Sequence, residues 1–163
     1  MSDYDVMRLV TALALADAER IIDGALAAGA EEKLLPLTVA VLDVGGHQIA
    51  LKRQDGSGIL RPDIAIGKAW GALGMGISSR HIRDRLRDRP AFQGALAAAA
   101  NGRFIPVPGG VLVLDARGQA IGAVGISGDA SDKDEYCAIE GVRRAGFLSH
   151  PDQPAADWRQ AGL

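Results

Sequence analysis

Apolar residues recur at every third or fourth position between residues 4 and 29, and charged residues occupy the positions between them. This spacing predicts an amphipathic first helix over 4–29. Ser2 or Asp3 would cap its start, and Gly29 would end it.

The next segments favour strands. Residues 37–44 read LTVAVLDV and residues 47–53 read HQIALKR, with Gly45-Gly46 between them. β-branched apolar runs around a glycine pair predict an antiparallel hairpin with Asp43 and His47 near its tip.

The second half of the chain continues with helices and then a second hairpin. We expect helices over 62–75, from Ser78 or Ser79 to Pro90, over 91–100 and over 132–145, the last capped by Ser131. The extended FIPVPGG leads into VLVLDARGQAIGAVGIS, whose turn is Ala116-Arg117-Gly118.

This order of elements predicts an α/β (α+β) fold in which an antiparallel sheet is flanked by helices in a layered sandwich. We expect one domain over 1–150 and an irregular C-terminal tail over 151–163. Trp158 would pin that tail to the body or to a neighbouring subunit.

Composition narrows the functional classes. A net charge of −2 and 4% aromatic residues in 163 residues argue against nucleic acid as a partner. The single cysteine excludes an internal disulfide. The sequence contains no run of 18 apolar residues, so we expect no membrane span. The N-terminus is unlike a signal peptide, so we expect a cytoplasmic protein.

Several common site motifs are missing from the sequence. There is no P-loop, no GxGxxG and no GxSxG, which weakens phosphate-transfer, dinucleotide and serine-hydrolase functions. No two histidines have zinc-site spacing, so we expect no dedicated metal site.

Four segments carry a family resemblance. The run LTVAVLDVGGHQIALKRQDG resembles the first hairpin of the GlcG/HbpS family, which includes the C-terminal domain of PduO-type proteins. The segments IAIGKAWGAL, RFIPVPGGVLVLDARGQAIGAVGISG and DKDEYCAIEGV resemble its next helix, its second hairpin and its closing helix. Together these segments extend the resemblance over about residues 5–147.

The resemblance implies a profilin-like or PAS-like fold and a homo-oligomer. It also implies a small ligand, because some members bind haem or related tetrapyrroles. Others accompany operons for small organic acids or aromatic compounds. Haem ligation varies within the family, so the resemblance assigns no axial ligand here.

The predicted hairpin tip offers one candidate site. His47 follows two glycines and lies near Asp43. The imidazole suits a general base oriented by the carboxylate, or a metal or haem ligand. The alternatives are a surface histidine and an aspartate that shapes the turn.

Other candidates would hold a ligand. Lys68 interrupts a helix face of small residues and suits a carboxylate or a haem propionate, unless it is a surface lysine. Arg53 at the end of the second strand would grip a carboxylate. In the segment Pro108-Gly109-Gly110 the glycines allow close backbone approach and anion binding, or simply start a strand.

The remaining chemistry-bearing residues have structural explanations. Asp134 and Glu135 suit the N-terminal turn of a helix, and Cys137 is typical of a small buried residue. The alternative for Cys137 is a thiolate that serves as a soft ligand. His81 and His150 are expected to face solvent.

Two functions follow as hypotheses. One is a small-ligand-binding protein, with haem or another planar anionic ligand. The other is a cofactor-independent, isomerase-type enzyme for a small organic acid, with His47 as acid/base, Asp43 orienting it, and Lys68 or Arg53 holding the substrate. An accessory protein without chemistry of its own is a third hypothesis.

A mean hydropathy of +0.09 and alanine-rich helix faces predict at least a dimer, with the tail from 151 to 163 as an arm across the interface.

Overall fold

The computed structural model describes residues 6–163, which form five helices and five strands. The helices are α1 (Leu15–Glu31), α2 (Arg61–Met75), α3 (Ser79–Arg85), α4 (Pro90–Ala99) and α5 (Ser131–Arg144). The strands are β1 (Thr38–Asp43), β2 (Gln48–Arg53), β3 (Gly110–Leu114), β4 (Ala120–Ser127) and β5 (Leu148–His150). A short 3-10 helix, Trp158–Gln160, lies in the tail.

The five strands form one sheet in the order β2-β1-β4-β3-β5, and each neighbouring pair is antiparallel. Both expected hairpins are present. The pairing of β1 places Thr38 opposite Arg53 on one side and opposite Ser127 on the other. The predicted antiparallel sheet flanked by helices is confirmed.

The two sheet faces bury different layers. Val39 and Val41 pack with α1 and α5, whereas Leu42 on the other face packs with α2. Strand residues alternate between faces, so one apolar strand contributes to both cores. Helix α2 lies unusually close to the sheet, because a Cβ at Gly125 would stand 1.8 Å from the Ala65 carbonyl oxygen.

The first helix is shorter than predicted. It begins at Leu15 instead of residue 4, and Ser2 and Asp3 lie outside the described residues. The side chains of Val6, Leu9 and Val10 are exposed, so the spacing of these residues marks no buried face. In α5, Ser131 is the first helical residue and Ala130 is the cap, so the predicted Ser131 cap is wrong.

The chain after residue 147 is more ordered than its proline content suggests. Leu148–His150 adds β5 to β3. Trp158 is buried and stacks on Tyr136 of the same chain, with ring centroids 3.8 Å apart. The tail is therefore fastened to α5 of its own chain. None of the helices between residues 6 and 163 has the length and apolarity needed to cross a membrane.

Candidate functional site

The tip of the first hairpin holds an imidazole beside a carboxylate. Nδ1 of His47 lies 3.3 Å from Oδ1 of Asp43. The same oxygen accepts hydrogen bonds from the backbone N–H groups of Gly45 and His47, both at 2.9 Å. Burial works to raise the pKa of Asp43, but these N–H groups and the His47 ring outweigh it and lower that pKa. Asp43 thus shapes the turn and also orients the ring.

A crevice of about 470 Å³ opens beside this tip. Its walls are mainly apolar, and His47 and Asp43 form its polar edge. The lining residues are Val10, Thr11, Ala12, Leu13, Leu15, Asp43, Val44, Gly45, His47 and Ile49. Because the His47 side chain is 82% exposed and its Nδ1 faces Asp43, the ring reaches the crevice mouth with Nε2 accessible.

Lys68 is a buried residue and not a surface lysine. Its Nζ donates hydrogen bonds to the Ile126 carbonyl oxygen at 2.8 Å and to Oδ2 of Asp134 at 3.0 Å. Both side chains of the ion pair are at least 98% buried. Burial lowers the pKa of Lys68 and raises that of Asp134, while their mutual attraction opposes both shifts.

The Pro108-Gly109-Gly110 segment packs directly on Lys68. Gly109 has φ +123, and a Cβ there would lie 2.9 Å from the lysine Nζ. A Cβ at Gly110 would lie 2.2 Å from the Lys68 carbonyl oxygen. The N–H of Gly110 donates to Oγ of Ser79 at 2.7 Å. The two glycines therefore allow helix α2 to reach the sheet.

Arg53 lies apart from the hairpin tip. It is exposed at the end of β2, opposite Thr38, and contributes to an open groove of about 960 Å³. Thr38 and Asp43 are the two ends of β1, so about 17 Å of strand separates their rows. Lys68 bonds to Ile126, which pairs with Val39 next to Thr38. The predicted site residues are thus divided between opposite ends of the sheet.

A second polar cluster joins α3, α5 and the tail that follows β5. Nε of Arg80 donates to both carboxylate oxygens of Glu135, at 2.8 and 3.1 Å, and Nη2 donates to the Gln153 carbonyl oxygen. Glu135 is fully buried. Burial raises its pKa to about 7, although Arg80 acts against this shift.

The expectation that His81 and His150 face solvent is wrong. Their ring centroids are 5.0 Å apart, and Oγ of Ser78 lies 2.9 Å from Nδ1 of His81. Nε2 of His150 is buried and has no hydrogen-bond partner among residues 6–163. Burial lowers both histidine pKa values, with a further contribution from Arg80. Because β5 pairs with β3 and ends at His150, it brings the His150 ring to His81 of α3.

Sequence patterns missed the partners in these pairs. Lys68 and Asp134 are 66 residues apart, and Arg80 and Glu135 are 55 apart. The adjacent acids Asp134 and Glu135, with Cys137 buried one turn later, were the available signal. Within the described residues, no group of three or more His, Cys, Asp or Glu is placed to hold a metal ion.

Comparison with known proteins identifies the family. A family model described as "Haem degrading protein HbpS-like" matches residues 13–143. The chain belongs to the HbpS-like family. The predicted relationship is thereby confirmed, over most of the chain.

Two curated proteins of Citrobacter freundii are similar in sequence. An uncharacterized 15.0 kDa protein from the dhaT-dhaS intergenic region is 29% identical over 129 residues, which is 79% of this chain and 89% of that protein. The corrinoid adenosyltransferase PduO is 27% identical over 121 residues, 74% of this chain. That match spans only 36% of PduO.

Solved structures share the fold. The PduOC:heme complex superposes with a TM-score of 0.75 at 22% identity, covering 86% of this chain and 99% of that one. Klebsiella pneumoniae ORFY gives 0.74 at 24% identity, covering 88% and 97%. A double mutant of Streptomyces reticuli HbpS gives 0.69 at 23% identity, covering 88% and 92%.

Proposed function

We propose that this HbpS-like protein binds a haem-type tetrapyrrole at the crevice beside the first hairpin, with His47 as the iron ligand. The observation that carries the proposal is the His47–Asp43 pair at the mouth of an apolar crevice. A histidine that binds a metal commonly directs its second ring nitrogen to a carboxylate, which fixes its orientation. The 3.3 Å contact with Asp43 has that arrangement.

The crevice residues suit the chemistry of haem. Leu13, Leu15, Val44 and Ile49 offer apolar contacts for a porphyrin face. The imidazole offers a nitrogen ligand for iron. No cationic side chain lines the crevice among residues 6–163, so the propionates would stay at its open mouth.

The other histidines suit an iron ligand less well. The rings of His81 and His150 lie against each other at a tilt of 30°, and Nδ1 of His81 is engaged by Oγ of Ser78. Cys137 of α5 is fully buried beside Gly29 of α1, and burial raises the pKa of its thiol. Haem would supply an iron centre for ligand or redox chemistry, and the chain would supply its orientation.

Absorbance titration with haemin tests this proposal. We expect a saturable Soret change in wild type and at least a tenfold weaker affinity in His47→Ala. Asp43→Asn should weaken binding less, since an amide oxygen still accepts from the turn N–H groups. Gln48→Ala, next to His47 and also exposed, is the matched control and should bind as wild type.

Iron-free protoporphyrin IX separates ligation from apolar packing. It should bind wild type and His47→Ala equally, because it has no iron for the imidazole to reach. Absence of a saturable haemin signal in wild type would refute haem binding. Equal haemin affinity in wild type and His47→Ala would refute His47 as the ligand.

Proton-transfer catalysis is the second candidate, because the His47–Asp43 contact also suits a general base. Such an enzyme would need its substrate clamp near His47. Lys68 and Arg53 lie toward the other end of β1, beyond the reach of one small acid. The geometry therefore favours the binding function.

We also propose a cytoplasmic homo-oligomer. Helix α4 is built mainly from alanine and other apolar residues, yet none of its residues is buried, and Phe92 is 38% exposed. Such a face is suited to a symmetric contact with a second copy. Light scattering should give a mass of at least twice 17.0 kDa. A monomer mass at micromolar concentration would refute the oligomer.

A further inference from the structure

A row of polar side chains crosses the sheet at the end opposite His47. Arg53 on β2, Thr38 on β1 and Ser127 on β4 are directly opposite one another in adjacent strands. Directly paired residues point to the same face, so the three side chains form one row about 10 Å long. Thr38 and Ser127 are at least 99% buried, and Arg53 is exposed at the open end.

The loop after β2 and the start of α2 add further donors to this row. Oγ of Ser57 lies 2.8 Å from Oγ1 of Thr38. Nη1 of Arg61 donates to Oγ of Ser127 at 3.1 Å. Burial lowers the pKa of Lys68, and Asp134 opposes this shift. The positive charge of Arg61 nearby adds a smaller lowering of that pKa.

The hydroxyl groups here retain donating capacity. Ser127 accepts from Arg61, and its own O–H has no acceptor among residues 6–163. In the Thr38–Ser57 pair one hydroxyl donates to the other, which leaves one O–H without an acceptor in that same part of the chain. Each hydroxyl can donate one hydrogen bond, so the row has unfilled donors in a buried setting.

The charges in this region are predominantly positive. Neither Arg53 nor Arg61 has an ion-pair partner within the described residues, whereas neighbouring Lys52 is paired with Asp23 at 2.6 Å. Arg53 also lines the neighbouring groove of about 960 Å³, which extends to α1 and contains Asp55 as its one carboxylate, against Lys33 and Arg53 once the Lys52–Asp23 pair is set aside. An excess of guanidinium groups beside buried hydroxyl donors is suited to an anion.

Apolar side chains flank these donors. Leu35 and Pro36 line the groove. Ile59 is 89% exposed and Leu60 is 63% exposed, and both immediately precede Arg61. An apolar border favours a ligand with a hydrocarbon body, and Asp55 disfavours a group of high negative charge.

We infer that Arg53, Arg61 and Ser127 form a binding site for a small organic acid with one carboxylate and an apolar body. The guanidinium groups and hydroxyls hold the carboxylate, and the border residues contact the hydrocarbon part. This site is at the other end of β1 from the proposed haem crevice, so the two sites are separable by mutation.

Titration with benzoate, followed by backbone amide NMR shifts of the full chain, tests the site. We expect saturable shifts at Ser57, Arg61 and Ser127. Arg53→Gln and Arg61→Gln should each weaken benzoate about tenfold or more. Arg117→Gln, an exposed arginine in the turn of the second hairpin, is the matched control and should change nothing. His47→Ala should also leave benzoate affinity unchanged.

Acetate and inorganic phosphate are the comparison ligands, and both should bind more weakly than benzoate. Absence of saturable benzoate shifts would overturn the inference, as would wild-type affinity in both glutamine variants. Equal affinity for benzoate, acetate and phosphate would contradict recognition of an apolar body. Unchanged spectra away from the site in the apo variants verify that they fold.

Discussion

The ammonium of Lys68 and the carboxylate of Asp134 form an ion pair buried between α2 and α5, with Nζ 3.0 Å from Oδ2. The pair lies at the end of β4, where Lys68 also bonds to the Ile126 carbonyl oxygen. It therefore ties the helix layers on the two sheet faces to each other.

Removing one partner of this pair should destabilise the fold. Lys68→Met leaves Asp134 buried without its cation, which should lower the free energy of unfolding by about 3–5 kcal/mol. Adding Asp134→Asn should recover part of this loss, since the amide still accepts the Asp129 N–H. Urea unfolding of the single and double variants measures both effects. Equal stability of Lys68→Met and wild type would show that the pair is unimportant.

Alanine substitution should change stability in opposite directions at two glycines, one packed against α2 and one in the open helix α4. Gly125→Ala would place Cβ 1.8 Å from the Ala65 carbonyl oxygen and should destabilise the protein by about 3 kcal/mol or more. Gly94→Ala in α4 meets no atom within 4 Å and should stabilise by about 0.5–1 kcal/mol. Thermal and urea unfolding of the two alanine variants and wild type measure these changes in stability. A tolerated alanine at 125 would contradict this packing.

Glu135 should make stability depend on pH. Burial raises its pKa in the fold to about 7 from an ordinary 4.5. The folded chain therefore holds this proton where the unfolded chain has lost it. The resulting stability is complete below about pH 4.5 and is lost as pH rises through 7.

Glu135→Gln removes that titration. The stability of wild type relative to this variant should fall by on the order of 3 kcal/mol between about pH 5 and pH 8. Urea unfolding at both pH values provides the comparison. A stability difference that is the same at both would show that Glu135 does not titrate in this range.

The half-buried histidine pair should act in the opposite direction. Burial lowers the pKa of His150 and His81 below 6.5, so the unfolded chain takes up protons first as pH falls. Their contribution to stability is present above about pH 6.5 and is lost in more acidic solution.

His150→Phe keeps a ring against His81 and removes the titrating nitrogens. Between about pH 7 and pH 5 the stability of this variant relative to wild type should rise, because only wild type loses the contribution of the His150 ring. Identical acid dependence in His150→Phe and wild type would contradict the role of the His150 ring.

Local pattern was enough to predict most elements of the fold. The two hairpins, α2, α4 and the antiparallel layers follow from strand alternation, glycine turns and proline positions. The start of α1 was wrong because Leu9 and Val10 have helical spacing without a surface to cover. β5 was missed since three residues give no periodicity, and its position depends on β3.

The candidate sites depended on register, which single segments do not reveal. The sequence presents Lys68 and Gly109 as separate candidates, and the fold brings them into contact. His47 and Arg53 lie near each other in sequence, yet β2 extends between them. Asp134 and Glu135 were expected at a helix start, but their partners on α2 and α3 come from distant sequence.

Imidazole rescue of His47→Ala, measured as the Soret spectrum of the haemin complex, tests His47 as the iron ligand most directly. Wild type should have a histidine-ligated spectrum that His47→Ala lacks. Free imidazole should restore that spectrum in His47→Ala and leave wild type unchanged. Identical haemin spectra in the two proteins before imidazole is added would contradict the claim.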